Sequence, residues 1–534
     1  MAKNAKITVH PSFEIGEISP RLFGAFLEPS RRQRVHGIMY NPNHPEADEQ
    51  GFRKDVMNAL KEANLPCVRL PGGNFISCWD WKDSIGPIEQ RKAHLDLAWI
   101  RYYTNDVGHD EYLQWAEKTG FEPLYTINLG TGDINDAIKI IEYTNHPGGT
   151  YWSDLRIKYG HEKPYGVKVW YLGNEMDGPW QLGSWEKKPR EFGILTHEVS
   201  KAMKFVDGSI ETVACVSSSP FIAHYPQWDM EVLEQCYETV DYISLHHYHS
   251  APIGDIGALL GGSEAFEDYI RTEIALCDFM KTKLRSTKTM MLSFDEYGSN
   301  YGVSKPLHYG RNGNVFLSEE FAKLNDPDRE YIYSEPDKFA GRTFNENNPE
   351  ILEALASASV MLTLVRHADR IKIGCMTRGL EAIVAVDKDN VWKTASSYPY
   401  EDLINYARGT SLMPQIECET YDIPGYALSD FTQYDSRTNV KYLEAAAASC
   451  DDELTVFVIN RDWNDDADFT LDVSGFKGYE FVDHTEMYSD DLNAYSQVND
   501  PQVYPKKAVG AEVKDGILTV TLKKLSWNVF RFKK

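Results

Sequence analysis

Hydrophobic positions along the chain follow two rhythms. From Leu22 to Met376, short apolar runs alternate with stretches in which apolar residues recur every three or four positions. The runs are LFGAFLE (Leu22–Glu28), CVRLPGGN (Cys67–Asn74), PLYTINLG (Pro123–Gly130), VKVWYL (Val167–Leu172), TVACVSSS (Thr212–Ser219), YISLHHYH (Tyr242–His249), MMLSFDEYG (Met290–Gly298) and IKIGCM (Ile371–Met376). Near-continuous apolarity is the mark of parallel strands covered by helices on their outer face. Between the runs, Phe52, Val56 and Leu60 predict a helix with one buried face. HDEYLQWAEKTG predicts another, ending at Gly120, and Pro349–Arg366 is helical in pattern. Eight strand–helix units in roughly 350 residues predict a (β/α)8 barrel with long loops. An open doubly wound sheet is the alternative, but no glycine-rich phosphate loop follows the first strand.

After about residue 385 the pattern changes to period two, in ELTVFVIN (Glu453–Asn460), DFTLDV (Asp468–Val473) and GILTVTLKKLSWNVFRF (Gly516–Phe532). Leu518, Val520 and Leu522 share one face, Thr519, Thr521 and Lys523 the other, which predicts a β-sandwich. The expected division is a barrel over residues 19–384 and a sandwich over 385–534. A further short strand, KITVH at Lys6–His10, precedes the barrel.

Composition narrows the partners. With 42% hydrophobic and 25% charged residues the chain has the makings of an ordinary soluble core. A formal net charge of −25 argues against nucleic acid or an anionic membrane as partner and suits a neutral substrate. There is no uncharged apolar stretch long enough for a membrane span, and no apolar core of a signal peptide near Met1. The eight cysteines are scattered singly, without a CxxC pair, as expected of free thiols in a reducing compartment. Together these predict a cytoplasmic protein. Twelve Trp and thirty-one Tyr supply flat rings of the kind that pack on sugars, although most belong to core or interfaces.

Candidate chemistry gathers at strand ends. Gly173 stops the fourth run, and Asn174 and Glu175 follow at its C-terminal lip, where α/β barrels hold their catalytic groups. Glu296 stands at the same place on the seventh run, and strands four and seven face each other across a closed barrel. Two carboxyl groups in one pocket are what glycoside hydrolysis needs, one protonated to donate to the leaving oxygen and one ionised. Their mutual repulsion separates the two roles. Period two sends Asp295 away from the mouth and favours Glu296, with Asp295 as the alternative. Glu28, Asn74, Asn128, His246 and Tyr248 also fall at strand ends, where polar side chains would meet sugar hydroxyls. Asn174 is set to reach a 2-hydroxyl. His247 and His249 share a strand face as metal ligands do, but no further His or Cys lies at ligand spacing. No GxSxG nucleophile is present. Neither metal nor organic cofactor is expected.

Several segments carry a resemblance: GFRKDV (Gly51–Val56), VRLPGGNF (Val68–Phe75), GPIEQR (Gly86–Arg91), LDLAW (Leu95–Trp99), NHPGGTYWSDLR (Asn145–Arg156), LGNEMDGPW (Leu172–Trp180), ISLHHY (Ile243–Tyr248), RHADR (Arg366–Arg370) and the late SWNV. On these the chain resembles the α-L-arabinofuranosidases of glycoside hydrolase family 51. The resemblance implies a retaining, exo-acting enzyme on terminal arabinofuranose of arabinan, arabinoxylan or their oligosaccharides, often a hexamer. It implies Glu296 as nucleophile and Glu175 as acid and base, with Glu28, Asn74, Asn174 and Tyr248 holding the furanose and Trp99 lining the pocket. It also implies that the first strand, within residues 1–18, completes the sandwich.

Departures from the family pattern lie close to these residues. Pro29, then Ser30, Arg31 and Arg32, stand where a His is usual after the first-strand Glu. Tyr297 and Asn300 each replace a Trp, and Arg378 replaces a sugar-binding Gln. Arg offers donors only, so the furanose contact there differs. The rival readings are a glycosidase of the same scaffold for another furanoside or a β-glucan, and a non-catalytic glycan-binding protein.

Overall fold

The computed structural model describes residues 3–29, 35–99, 101–303, 332–333, 349–387, 389–429 and 432–534, with backbone alone at 101, 300–303 and 332–333. Eight parallel strands close into a barrel in sequence order: β1 (Gly24–Phe26), β2 (Cys67–Arg69), β3 (Glu122–Ile127), β4 (Val169–Leu172), β5 (Glu211–Cys215), β6 (Tyr242–Pro252), β7 (Met291–Val303) and β8 (Ile371–Met376). Helices return the chain between them. Lys54–Glu62 buries Val56, Met57 and Leu60, and His109–Thr119 ends at Gly120, whose φ of +90° closes the helix in the left-handed conformation.

Several runs leave the ladder earlier than their apolarity predicts. Asn74 begins a short 3-10 turn (Asn74–Cys78) instead of ending β2, and Asn128 lies in a loop after β3. These residues stay partly buried because the mouth loops pack on each other, so apolarity outruns the strand. The barrel interior is filled: Phe26, Val169, Tyr171, Ile373 and Cys375 are fully buried, and the Tyr171 hydroxyl meets Ser293 Oγ at 2.8 Å. A ligand therefore has access from the C-terminal mouth, above this floor.

The remaining strands form a sandwich. One sheet has seven strands, with Glu453–Asn460 and Ser526–Lys533 at its centre. The other has five, in the order Gln415–Glu417, Lys3–Thr8, Ala467–Asp472, Ile517–Leu522, Glu512–Lys514. Leu518 and Leu522 are buried while Thr519 and Thr521 are exposed, the alternation expected. The continuous run predicted at Gly516–Phe532 divides into two strands in opposite sheets, turning at Leu525 with φ +47°. Apolar alternation continues through the corner because both strands face one core, so nothing in the pattern marks the crossing. Lys3–Thr8 runs parallel to Ala467–Asp472, and Glu14–Glu17 pairs with Thr410–Leu412. Helix Ser397–Tyr406 follows β8 and packs on Glu350–Arg366, beyond the expected division at residue 384.

All eight cysteines are free. No helix among the described residues is long and apolar enough to cross a membrane.

Candidate active site

At the end of β4, whose four residues are fully buried, Gly173 (φ +92°) and Glu175 (φ +46°) turn the chain across the mouth. The left-handed backbone at a glutamate costs about 1 kcal/mol. The turn is tied by the Gly178 amide, which donates to the Glu175 carbonyl at 2.9 Å. Glu175 Oε1 faces His246 Nδ1 at 3.0 Å, and Oε2 accepts from Trp180 Nε1 at 2.6 Å. On β7, Glu296 Oε1 accepts from Arg69 Nη1 at 2.8 Å and Oε2 from the Tyr248 hydroxyl at 2.6 Å. One carboxylate oxygen from each glutamate and a ring nitrogen of His246 lie within 4.8 Å of one another. Glu175 is 8% exposed and Glu296 4%, so both act in a largely dehydrated setting.

The alternation argument that sent Asp295 away from the mouth is corrected here. Ser293 and Glu296 of β7 pair with Ser244 and His246 of β6, and Phe294 and Tyr297 with Gly374 and Met376 of β8. β7 thus carries one extra residue against both neighbours, a bulge that breaks period two. Asp295 and Glu296 therefore reach the same cations: Asp295 Oδ2 lies 3.1 Å from Arg69 Nε and 3.3 Å from His246 Nε2. Asp295 is fully buried and also accepts from Ser244 and Ser293, which leaves Glu296 as the carboxylate at the mouth.

Arg69, unremarked in the sequence reading, organises this floor. Fully buried over the Phe26 and Tyr171 rings (5.2 and 4.9 Å), it engages Asp295 and Glu296 and donates Nη2 to Asn174 Oδ1 at 2.8 Å. Its signal was available: a lone charge inside a buried parallel strand, CVR, requires partners. Burial alone would raise the Glu296 carboxyl, but the charges of His246 and Arg69 and the donors of Tyr248 and Arg69 hold it below its ordinary value. Asp295 is held down against burial by Arg69 first, then His246 and Ser244. Burial disfavours a charged His246, yet Glu296, Asp295 and Glu175 push it up to about 10, so it is an imidazolium at neutral pH.

Glu175, His246 and Glu296 are also the one group at metal-ligand spacing among the described residues. Both His246 nitrogens already face carboxylate oxygens, Nδ1 at 3.0 Å from Glu175 and Nε2 at 3.3 Å from Asp295. His247 and His249, the pair considered as ligands, point into the helix layer. Burial pushes them down to about 3 and about 4; His247 packs on Phe266 and Tyr269, and His249 Nε2 donates to the Ala258 carbonyl at 3.0 Å.

The other expected contacts fall into two groups. Glu28 Oε1 accepts from Trp99 Nε1 at 2.7 Å and from the Phe75 amide at 3.2 Å, while Asn74 Oδ1 accepts from Asn174 Nδ2 at 3.1 Å. Asn74 thus joins the Arg69–Glu296 floor through Asn174, and Glu28 with Trp99 is tied beside it at the Phe75 amide. Gly73 makes this possible: at φ +74°, a Cβ there would sit 2.2 Å from the Glu28 carboxyl. Tyr248 bonds Thr377 Oγ1 at 2.8 Å, and half-buried Arg378 follows directly, at the end of β8. Asn128 instead ties its own loop, donating to the Trp79 carbonyl at 3.1 Å and accepting from the amides of Gly130 and Thr131. Tyr297 is fully buried, edge-on to Phe266. Residues 30–32 and the Asn300 side chain lie outside the described residues.

An eight-stranded barrel that holds two carboxyl groups together at its mouth, one turned to an imidazolium and one to an arginine, defines a glycoside hydrolase. Two family profiles match the chain, the Alpha-L-arabinofuranosidase 1 domain over residues 59–271 and the Alpha-L-arabinofuranosidase C-terminal domain over residues 295–526. A Bacillus subtilis intracellular exo-α-(1→5)-L-arabinofuranosidase is 39% identical over 537 residues, 100% of this chain and 99% of that protein. One of the same description from Acetivibrio thermocellus is 38% identical over 536 residues, covering both chains fully. The solved structure of a family 51 α-L-arabinofuranosidase from Bifidobacterium longum superposes with a TM-score of 0.83 at 29% identity, covering 100% of each chain. The chain belongs to glycoside hydrolase family 51, the α-L-arabinofuranosidases.

Proposed function

We propose that this protein is a retaining, exo-acting α-L-arabinofuranosidase that removes terminal arabinofuranosyl residues from arabinan, arabinoxylan or their oligosaccharides, with α-(1→5) linkages preferred. The observation that carries the mechanism is the spacing of the two glutamates, with an oxygen of each within 4.8 Å of the other. Retaining enzymes hold their carboxyl groups ~5 Å apart, whereas inverting ones leave room for a water. Glu296, ionised and fixed by Arg69 and Tyr248, attacks the anomeric carbon. The glycosidic C–O bond breaks and its oxygen takes the proton of Glu175. Water then attacks the anomeric carbon and gives its proton to Glu175, and the ester to Glu296 opens.

In this reading Glu28, Asn74, Trp99, Asn174, His246, Tyr248 and Arg378 form the sugar subsite. Asn174 is the group beside the acid that reaches the 2-hydroxyl. The linkage follows the names of the two relatives, and their intracellular description supports a cytoplasmic location. A homohexamer rests on the family resemblance. The proposed division remains a barrel over 19–384 and a sandwich over 385–534 completed by 1–18, supported by the pairing of Lys3–Thr8 with Ala467–Asp472.

The test is release of 4-nitrophenol from its α-L-arabinofuranoside by wild type, Glu296→Ala and Glu175→Ala. Glu296→Ala should lose turnover and be rescued by azide as the inverted glycosyl azide. Glu175→Ala should keep more activity on this leaving group than on arabino-oligosaccharides, because less protonation is needed. A wild type that leaves the arabinoside intact and cleaves another glycoside would overturn the substrate assignment.

A further inference from the structure

Strand β6 outruns one of its neighbours. β5 ends at Cys215, and its ladder covers only Tyr242–Ser244 of β6. Two links follow, from the Val216 amide to the Ser244 carbonyl at 3.3 Å and from the His246 amide to the Ser217 carbonyl at 3.5 Å. Alternate residues of a parallel strand turn amide and carbonyl to the same side. Tyr248 and Ser250 therefore present theirs to the edge that β5 has left, while the other edge stays paired with β7 as far as Pro252. Backbone groups on such an edge need partners. Theirs come from the far part of the chain. Between the sandwich strands Gln415–Glu417 and Leu443–Cys450, an arm folds as two short ladders, Thr420–Ile423 with Arg437–Lys441 and Tyr426–Ala427 with Gln433–Tyr434. Two of its tyrosines stack, 4.8 Å between ring centres and 25° between planes, and aim both hydroxyls at β6. Tyr434 donates to the Tyr248 carbonyl at 3.3 Å and Tyr426 to the Ser250 carbonyl at 3.1 Å. Phe221, in the loop after β5, and His249 pack edge-on against the Tyr434 ring at 5.0 and 5.1 Å. The arm is fastened to the barrel helices by the Tyr421 hydroxyl on the Gly257 carbonyl at 3.2 Å and by Arg437 on Asp268.

We propose that Tyr434 and Tyr426 are positioning residues for the nucleophile: the sandwich arm stands in for the missing strand beside β6 and so fixes Tyr248, whose hydroxyl holds Glu296. The inference rests on the reading of Glu296 as nucleophile. Tyr248 is bonded at both ends, by its carbonyl to Tyr434 and by its hydroxyl to Glu296 Oε2 at 2.6 Å and Thr377 Oγ1 at 2.8 Å. With the carbonyl released, the outer edge of β6 is free to shift, and the phenol moves with the backbone that carries it. Glu296 then loses alignment at Oε2 while Arg69 still holds Oε1 at 2.8 Å, and the carboxylate can turn about that remaining contact. Burial pushes both phenols of the arm above their ordinary value, so they stay donors over the working pH range. A barrel without this arm keeps both glutamates but loses the fixed donor on one oxygen of the attacking one.

The experiment is a double-mutant cycle on the full chain, with Tyr434→Phe and Tyr248→Phe made singly and together. The readout is kcat/KM on 4-nitrophenyl α-L-arabinofuranoside across pH. Tyr434→Phe removes one hydroxyl and should lower kcat/KM by about threefold to tenfold, the scale of a single hydrogen bond. Its acid limb should move to higher pH, because against burial His246, Arg69 and Tyr248 together hold the Glu296 carboxyl low and the Tyr248 donor is weakened. In the Tyr248→Phe background the same change should alter kcat/KM by less than about twofold and leave the limb in place, since the path runs through the Tyr248 hydroxyl. Equal effects in both backgrounds, or none in either, overturn the inference. A merely structural hydroxyl would lower Tm without moving the limb, and that result overturns it as well. Should Tyr434→Phe fail to fold, Tyr426→Phe decides in the same cycle, with a smaller effect of the same sign because it frees the carbonyl two residues further on. Wild type inert on all arabinofuranosides, or a Glu296→Ala enzyme that keeps its turnover, sinks the functional reading and this inference together. An active wild type in which the two tyrosine changes act independently sinks this one alone.

Discussion

The barrel mouth and the seam between barrel helices and sandwich each bury an arginine against carboxylates, but they match charges differently. At the seam, Arg461 is 2% exposed and donates to the carbonyls of Lys441 and Leu260, to Ser263 Oγ, and to Glu444 and Glu264. Glu444 also accepts from Arg366 and from the Ser359 hydroxyl. Among the described residues, two arginines there meet two glutamates, and both oxygens of Glu444 are occupied. At the mouth, among the described residues, Arg69 and His246 are shared by Glu175, Asp295 and Glu296. A matched cluster has no reason to exchange protons and serves to fix one element on another. Where several carboxyl groups share the same cations, their mutual repulsion favours a proton on one of them.

The largest effect expected from breaking this contrast is at the mouth. Arg69→Met should lower kcat/KM on an arabinofuranoside by about 10³ or more, because Glu296 loses both its charge partner and its orientation; steady-state kinetics measures it. At the seam, Arg461→Ala leaves Glu444 and Glu264 short of a cation and should cost about 3–5 kcal/mol of stability. Thermal unfolding should show the loss, while kcat of the folded variant stays within about twofold of wild type. An Arg461 variant that loses kcat without losing Tm would remove the distinction between the two clusters. Gly73→Ala, forced against Glu28 at a positive φ, should cost about 1–3 kcal/mol, read as a raised KM or a lower Tm. The smallest effect is a pH dependence. The folded-state pKa of His246 is raised to about 10, so its contribution to stability is complete below its unfolded value and is lost as pH rises through about 10. The arginine-based seam does not titrate in that window. Tm of wild type should therefore fall more between pH 7 and 10 than that of His246→Asn.

Much of the barrel was readable because burial on both faces leaves an unbroken apolar run, and the residue that ends such a run is at the mouth. The position of Glu175 and Glu296 at the mouth was read that way. What stayed hidden depends on contacts between distant segments. Asp295 was sent to the wrong side because a bulge in β7 leaves no mark in hydrophobicity. Trp180, which holds Glu175 Oε2, lies in a loop whose path no periodicity specifies. Asn128 looked like a sugar contact by position, yet it satisfies the amides of its own turn. Arg69 was legible in principle, as a charge that a buried strand cannot carry alone, but its partners come from β4 and β7, far along the chain.

The strand Lys3–Thr8 has its parallel neighbour at Ala467–Asp472, and Ser526–Lys533 lies at the centre of the seven-stranded sheet. During synthesis, the earliest strand therefore emerges long before the segment it will pair with. At elongation rates of about 5–20 residues per second that wait is on the order of half a minute to a minute and a half. The barrel has time to fold first, with a loose leading segment attached, and the sandwich closes only when Ser526–Lys533 has emerged. A chain cut short before Ser526–Lys533 would carry a finished barrel with an open, sticky sheet beside it, and such a product is one for proteases and chaperones to recognise.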